Sequence, residues 1–180
     1  TRISDDRYII KMENEKPYGM GVFIDIYPYD GLGTTEKEAV TYGMKGDRLS
    51  SLCYQSTREH FAIETTTSLF RKIIKYPIFI GSKLIGKDYF QKKLNQLVEL
   101  KEYEDSNYIG CVVWLSGGKK EIFLRKWFDE TVMVPFEKYQ FRVPKDYDEV
   151  LRHTYGDYMQ LPPEKDRISH HYFKAYRKDE

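Results

Sequence analysis

Cysteine is scarce. Cys53 and Cys111 are the only two in 180 residues, too few for a disulfide scaffold, and with four histidines they cannot be written as a structural zinc site at finger spacing. Both read as small buried apolar residues in a reducing compartment, so a cytoplasmic protein is expected. Long hydrophobic runs are also missing: none approaches the ~20 residues that span a bilayer, so no membrane span is expected. No secretory signal is visible in a sequence that starts at Thr1. Charge of one sign does not accumulate either. The formal net charge is +1, which excludes a globally basic nucleic-acid binder, and no nucleic-acid partner is expected. There is no internal repeat and no low-complexity tract.

What is abundant is aromatic: 16 Tyr, 10 Phe and 2 Trp within a hydrophobic fraction of 41%. That composition excludes disorder and supports a sizeable core in one domain. The local patterns then divide the chain into three stretches: a strand region over 1–35, a helical middle over 36–105, and strands plus C-terminal helices over 106–180. Tyr8-Ile9-Ile10 predicts a strand, and Gly19 to Tyr27 gives the clearest β signal, stopped by Pro28. Tyr29-Asp30-Gly31 reads as a turn, with Asp30 a turn former. Glu36 to about Gln55 is helical through Val40, Met44, Leu49, Leu52 and Cys53, with Gly43 and Gly46 predicting a bend or two shorter helices. Phe61 to Tyr76 is a second helix with a basic end. Phe90, Leu94, Leu97 and Val98 make the firmest stripe, with Asp88 as its cap. Ile109–Leu115, Ile122–Phe128, Thr131–Phe136 and Tyr139–Val143 read as strands or extended segments, with a turn at Ser116-Gly117-Gly118. Asp146 with Glu149 reads as a capping box for a short helix that Gly156 ends. The tail after Pro163 reads as polar and helical.

Candidate chemistry is sparse. Gly81-Ser82-Lys83-Leu84-Ile85-Gly86-Lys87 has the spacing of a phosphate-cradling loop, but Asp88 stands where a magnesium-binding hydroxyl is needed. It is read instead as a helix–helix connection, and nucleotide triphosphate chemistry is not expected. Asp25 alternates with Ile24 and Ile26 on a strand. That pattern fits either an edge strand with one wet face or a carboxylate rooted for a divalent ion. Arg167 beside His170 and His171 has the chemistry to hold phosphate, and equally the composition of an ordinary polar tail. His60 and His153 read as structural.

Three segments taken in order carry a resemblance. Gly21-Val22-Phe23-Ile24-Asp25-Ile26-Tyr27-Pro28-Tyr29-Asp30-Gly31, then Val134-Pro135-Phe136-Glu137, then Tyr155-Gly156-Asp157-Tyr158-Met159 with Pro162-Pro163, Arg167 and His170 resemble the LicD family over most of the chain. Fukutin-type transferases are more distant relatives. The resemblance implies an α+β, nucleotidyltransferase-like mixed sheet with flanking helices. It implies transfer of phosphocholine or a related phospho-alcohol from CDP-choline, or a similar CDP-alcohol, to a hydroxyl of a cell-surface glycan, assisted by Mg²⁺ or Mn²⁺. On that reading Asp25 is the metal ligand or general base. Glu137, Tyr155, Asp157, Arg167 and His170 contact donor or acceptor. The family's Asp-x-Asp pair, which precedes the segment matching Gly21 onward, has no counterpart here, since Asp5-Asp6 is adjacent and unframed. The expectation is therefore that residues 1–180 are a single domain forming the C-terminal portion of such a transferase. Its first strands would be missing, it would be inactive alone, and an open sheet edge would favour a homo-oligomer. The alternative is a non-catalytic glycan- or nucleotide-binding module.

Overall fold

The computed structural model describes residues 2–12, 20–61, 69–115, 118–167 and 173–178. In chain order its elements are β1 (Arg2–Asp5), β2 (Tyr8–Met12), β3 (Val22–Asp25), β4 (Asp30–Gly33), α1 (Glu36–Thr57), α2 (Leu69–Ile85), α3 (Lys87–Val98), β5 (Tyr108–Gly110), β6 (Ile122–Leu124), β7 (Thr131–Phe136), β8 (Tyr139–Pro144), α4 (Tyr147–Tyr155) and β9 (Phe173–Arg177). The class is α+β. The described strands form four small sheets, β1-β3, β2-β9, β4-β5-β6 and β7-β8, each antiparallel. Two compact units result: Thr1–Tyr27 with Leu161–Glu180, and Pro28–Gln160. Among the described residues no helix is long and apolar enough to cross a membrane.

The first unit is held by two ribbons. In β1-β3, Arg2 pairs with Asp25 and Ile3 with Ile24. In β2-β9, Ile10 pairs with Ala175, and Ile10 is buried. The tail expected to be helical is thus strand β9. Its partner is a β-branched segment more than 160 residues away in sequence, and pairing of that kind overrides local preference. Phe23 and Phe173 meet at a tilt of 39° with 5.8 Å between centroids, and the Arg2 guanidinium lies 4.1 Å over the Phe23 ring. At the β1–β2 turn, Arg7 grips Asp5 at 2.6 Å, which pulls the Asp5 carboxyl down to about 2.

In the second unit, sheet β4-β5-β6 meets α1 around a core of Leu32, Ala39, Leu97, Val112, Leu115 and Ile122. α1 is one continuous helix. Thr35 caps it by accepting from the Glu38 N–H, while Glu38 Oε2 accepts from the Thr34 N–H at 2.9 Å. The alternative of two shorter helices divided at Gly43 and Gly46 is not realised. The fully buried residues are Ala39, Gly43 and Gly46, while Val40 and Leu49 of the expected stripe pack partly buried against the core and Met44 is exposed. Close approach explains both glycines. A Cβ on Gly46 would stand 2.0 Å from the Val112 carbonyl oxygen, and one on Gly43 would stand 2.5 Å from Leu115 Cδ2.

α2 runs through Gly81 to Ile85, with Pro77 inside it. The link to α3 is Gly86 alone, at φ +86°, a conformation that glycine adopts without cost. Gly86 also takes the N-cap place of α3, so Asp88 sits in the first turn and acts there through the helix dipole, with no capping bond. Phe90, Leu94 and Leu97 are buried as the stripe predicts.

The extended readings after residue 105 shorten to β5 and β6. Ser116 and Gly117 of the expected turn lie outside the described residues. The two extended segments expected over Thr131–Phe136 and Tyr139–Val143 are strands β7 and β8, and the structure pairs them as a hairpin. The Asp146 capping box does not form, because the backbone of Asp146 (φ −89°, ψ 34°) is not extended and its side chain makes no capping bond. Gly156 ends α4 at φ +73°, as its position predicts.

Candidate functional site

In the first unit, Asp25 closes β3 directly opposite Arg2, and Arg2 Nε donates to its Oδ1 at 2.7 Å. Neither face of this strand end is covered: Ile24 is 71% exposed and Asp25 is exposed. An open pair of this kind contributes no more than about 1 kcal/mol, so the carboxylate can exchange its partner cheaply. Arg167 Nε donates to the Pro162 carbonyl oxygen at 2.7 Å, which ties the guanidinium to the Pro-Pro segment. His170 lies outside the described residues.

In the second unit, Glu137 is the first residue of the two-residue turn between β7 and β8 and has φ +54°. A non-glycine residue held there carries a conformational cost of about 1–2 kcal/mol. Tyr155 ends α4 with 70% of its surface exposed. After Gly156 reverses the chain, the Asp157 carbonyl accepts from the Gln160 N–H at 3.1 Å. Tyr158 folds back so that its hydroxyl donates to Asp148 Oδ1 at 2.7 Å, while Arg152 Nε donates to Asp148 Oδ2, also at 2.7 Å. Asp148 therefore anchors the Tyr-Gly-Asp-Tyr run to the helix that precedes it. Arg152, and after it Tyr158, holds its carboxyl below the ordinary range.

The structure adds a group of residues to which the sequence pattern assigns no chemical role. Asp30 is not a turn residue. It opens β4 opposite Gly110, which in turn faces Ile122 on β6. Gly110 is small because a Cβ there would meet the Glu121 carbonyl oxygen at 2.7 Å and Leu32 Cδ1 at 3.0 Å. One step beyond these pairs stand Tyr29, Cys111 and Glu121. Glu121 Oε2 is buried and has no hydrogen-bond partner among the described residues. Burial pushes the Asp30 carboxyl above its ordinary value. It does the same to the Cys111 thiol, with Asp30 and Glu121 adding to the rise. The Tyr29 phenol is raised by burial first and then by Cys111, Glu121 and Tyr155.

Tyr155, from the last motif segment, is near enough to Tyr29 for its charge to act on the Tyr29 phenol. Aromatic rings pack against Tyr29. Tyr29 stacks on Phe123 at 5.3 Å and meets Phe128 edge-on at 5.5 Å, and Phe123 also meets His153 of α4 at 5.7 Å. Half-buried carboxylates beside ring faces can take hydrogen bonds from hydroxyls or hold a cationic headgroup.

β4 leads from this cluster into the start of α1, where a cavity of about 500 Å³ opens, lined by Lys37, Glu38, Thr41, Tyr42, Lys45 and Lys101 with Thr35. The Tyr42 hydroxyl donates to the Leu97 carbonyl, and its proton affinity is raised by burial and then by the charge of Asp30. The Lys101 ammonium is paired with Glu38 and lies 5.2 Å over the Tyr42 ring. That ammonium, with the Thr34 N–H, brings the Glu38 carboxyl down to about 2. Three ammonium groups against one carboxylate leave the cavity cationic, and its volume falls in the range of ligand sites.

The residues do not form a cation cage. Among the described residues no three His, Cys, Asp or Glu side chains stand together as metal ligands.

No family model and no solved structure matches the chain. A curated relative does: the lipopolysaccharide cholinephosphotransferase LicD of Haemophilus influenzae is 32% identical over 157 residues, covering 86% of this chain and 57% of the relative. The chain spans little more than half the length of that relative. Identity of 32% over 86% of this chain supports membership of the LicD family.

Proposed function

We propose that the protein takes part in moving phosphocholine, or a related phospho-alcohol, from a CDP-activated donor to a hydroxyl of a lipopolysaccharide glycan, on a nucleotidyltransferase-like fold. The observation that carries this reading is the 32% identity over 86% of the chain to a relative named as a lipopolysaccharide cholinephosphotransferase. Two features of the second unit support it. The cationic cavity on α1 suits a diphosphate, and the carboxylates and rings around Tyr29 suit a quaternary ammonium.

In the reaction the acceptor oxygen attacks the phosphorus that bears the alcohol. The bond from that phosphorus to the bridging oxygen breaks, CMP leaves, and the hydroxyl proton passes to a base. Asp25 is the matched candidate for metal ligand or base. Asp30 has the chemistry of a base as well, since burial raises its affinity for a proton toward the working range. Glu137, Tyr155, Asp157, Arg167 and His170 are the matched candidates for donor and acceptor contacts.

Mg²⁺ or Mn²⁺ comes with the family reading, and such ions are bound by one or two carboxylates together with substrate phosphates. The described residues do not make a cation site by themselves, so no step here is routed through an ion.

The test is transfer of labelled phosphocholine from CDP-choline to lipopolysaccharide by the whole protein, with and without Asp25→Ala. Loss of transfer in the variant supports the assignment, and unchanged turnover removes Asp25 from the mechanism. A non-catalytic glycan- or nucleotide-binding module would bind CDP-choline or glycan in the same experiment and transfer nothing.

A further inference from the structure

α2 turns its apolar side outward. At 100° per residue, Ile73, Ile74, Ile78, Ile80, Leu84 and Ile85 share one broad arc that contains no charged residue. All six are exposed, Leu84 by 83%, Ile73 by 64% and Ile85 by 55%. The opposite side is the one that packs: Phe79 and Ser82 are buried, and the Ser82 hydroxyl donates to the Phe79 carbonyl at 2.8 Å. All charges of the helix lie outside that arc, and all are basic. The helix carries Arg71, Lys72, Lys75 and Lys83 and no acidic residue, and the Lys83 ammonium lies 5.4 Å from the Phe79 ring centre.

A helix of a folded domain ordinarily buries its apolar stripe and wets its charges. An aliphatic face this large and continuous marks an interaction surface. We propose that α2 is a membrane-surface helix. It lies in the plane of an anionic bilayer with the isoleucine face among the upper acyl chains and the lysines extended to the headgroup phosphates.

Length and charge fix the mode. Seventeen residues extend about 25 Å, short of the ~30 Å hydrocarbon core, so the helix lies on the membrane and does not cross it. Charge selects the partner. Four basic residues without a carboxylate are complementary to anionic lipid, whereas a second α2 laid against the first would bring like charges together. The inference stands on this helix alone and not on the transfer reaction, so plain vesicles without glycan or nucleotide test it separately.

The experiment is flotation of the 180-residue chain with phosphatidylglycerol/phosphatidylcholine vesicles and with phosphatidylcholine vesicles. Expected is co-flotation with the anionic vesicles that weakens with added salt. Ile73→Ser with Leu84→Ser should lower the partition at least about tenfold, with an unchanged circular-dichroism melt because both side chains are already exposed. Lys75→Gln should lower it about fivefold. Failure of the wild-type chain to float overturns the proposal, as does undiminished flotation of the double serine variant. A chain that sediments as an oligomer without lipid and becomes monomeric in that variant also overturns it, since the face would then join two copies.

Discussion

Gly46 and Gly81 are both helical glycines, and the structure assigns opposite signs to their replacement. On helix propensity alone, Gly→Ala stabilises by about 0.8–1.0 kcal/mol at either site. At Gly81 nothing lies within 4 Å of the added Cβ, so Gly81→Ala should deliver that gain. At Gly46 the Cβ would sit 2.0 Å from the Val112 carbonyl oxygen, 2.8 Å from Val112 Cγ1 and 2.9 Å from the Val112 carbonyl carbon. Two of those atoms are backbone and cannot swing away. α1 would have to retreat by more than an ångström from Val112, a fully buried member of the core. Overpacking of this kind costs about 1–3 kcal/mol, and a backbone clash belongs at the upper end. Less the propensity gain, the net loss is about 2 kcal/mol.

For a chain of this size Tm should fall by roughly 4–8 °C in Gly46→Ala and rise by roughly 2–4 °C in Gly81→Ala. Differential scanning calorimetry or urea unfolding reads both. A Gly46→Ala protein as stable as Gly81→Ala would refute the close packing of α1 on the Val112 segment. The position of Tyr42 and Lys45 at the cavity would then be unsupported, because α1 carries both.

Other outcomes follow from the same geometry. Lys37→Ala with Lys45→Ala should weaken CDP binding about tenfold by calorimetry, with the melt unchanged, because both lysines line the cavity without holding the core. Glu38 has its carboxyl lowered from 4.5 to about 2 by Lys101 and Thr34. Its contribution is therefore complete above pH 4.5 and is lost as pH falls toward 2, and Glu38→Gln should flatten the stability–pH curve in that interval. Asp30 has the reverse sign. Its raised folded-state value means that stability declines as pH climbs from 3.8 through that value, and Asp30→Asn should remove this decline in denaturant titrations.

Much of the second unit was legible because its signals are local. Phe90, Leu94 and Leu97 mark α3 by spacing, Thr131–Phe136 and Tyr139–Val143 mark the extended segments β7 and β8, and Gly156 marks the end of α4. What escaped was non-local. Phe173–Arg177 is a strand only because Tyr8–Met12 lies beside it. Gly43 and Gly46 look like helix weakeners until Val112 and Leu115 are placed against them.

The site follows the same division. Asp25 was visible as a charge between isoleucines, but its pairing with Arg2 depends on a strand register that no single segment carries. Asp30 was hidden by the turn-like sequence Tyr29-Asp30-Gly31. Glu121 has no sequence signal at all, since only the fold buries its oxygen. Gly110, on β5 between β4 and β6, carries a crowding that shows only when Glu121 and Leu32 are placed against it.

The most direct test of the proposed reaction is a product balance: the whole protein is incubated with CDP-choline and a lipopolysaccharide oligosaccharide, and CMP and the glycan mass are measured together. A gain of one phosphocholine on the glycan for each CMP released is the expected result. CMP released without a change in glycan mass, or a glycan carrying the cytidylyl group instead, would contradict it.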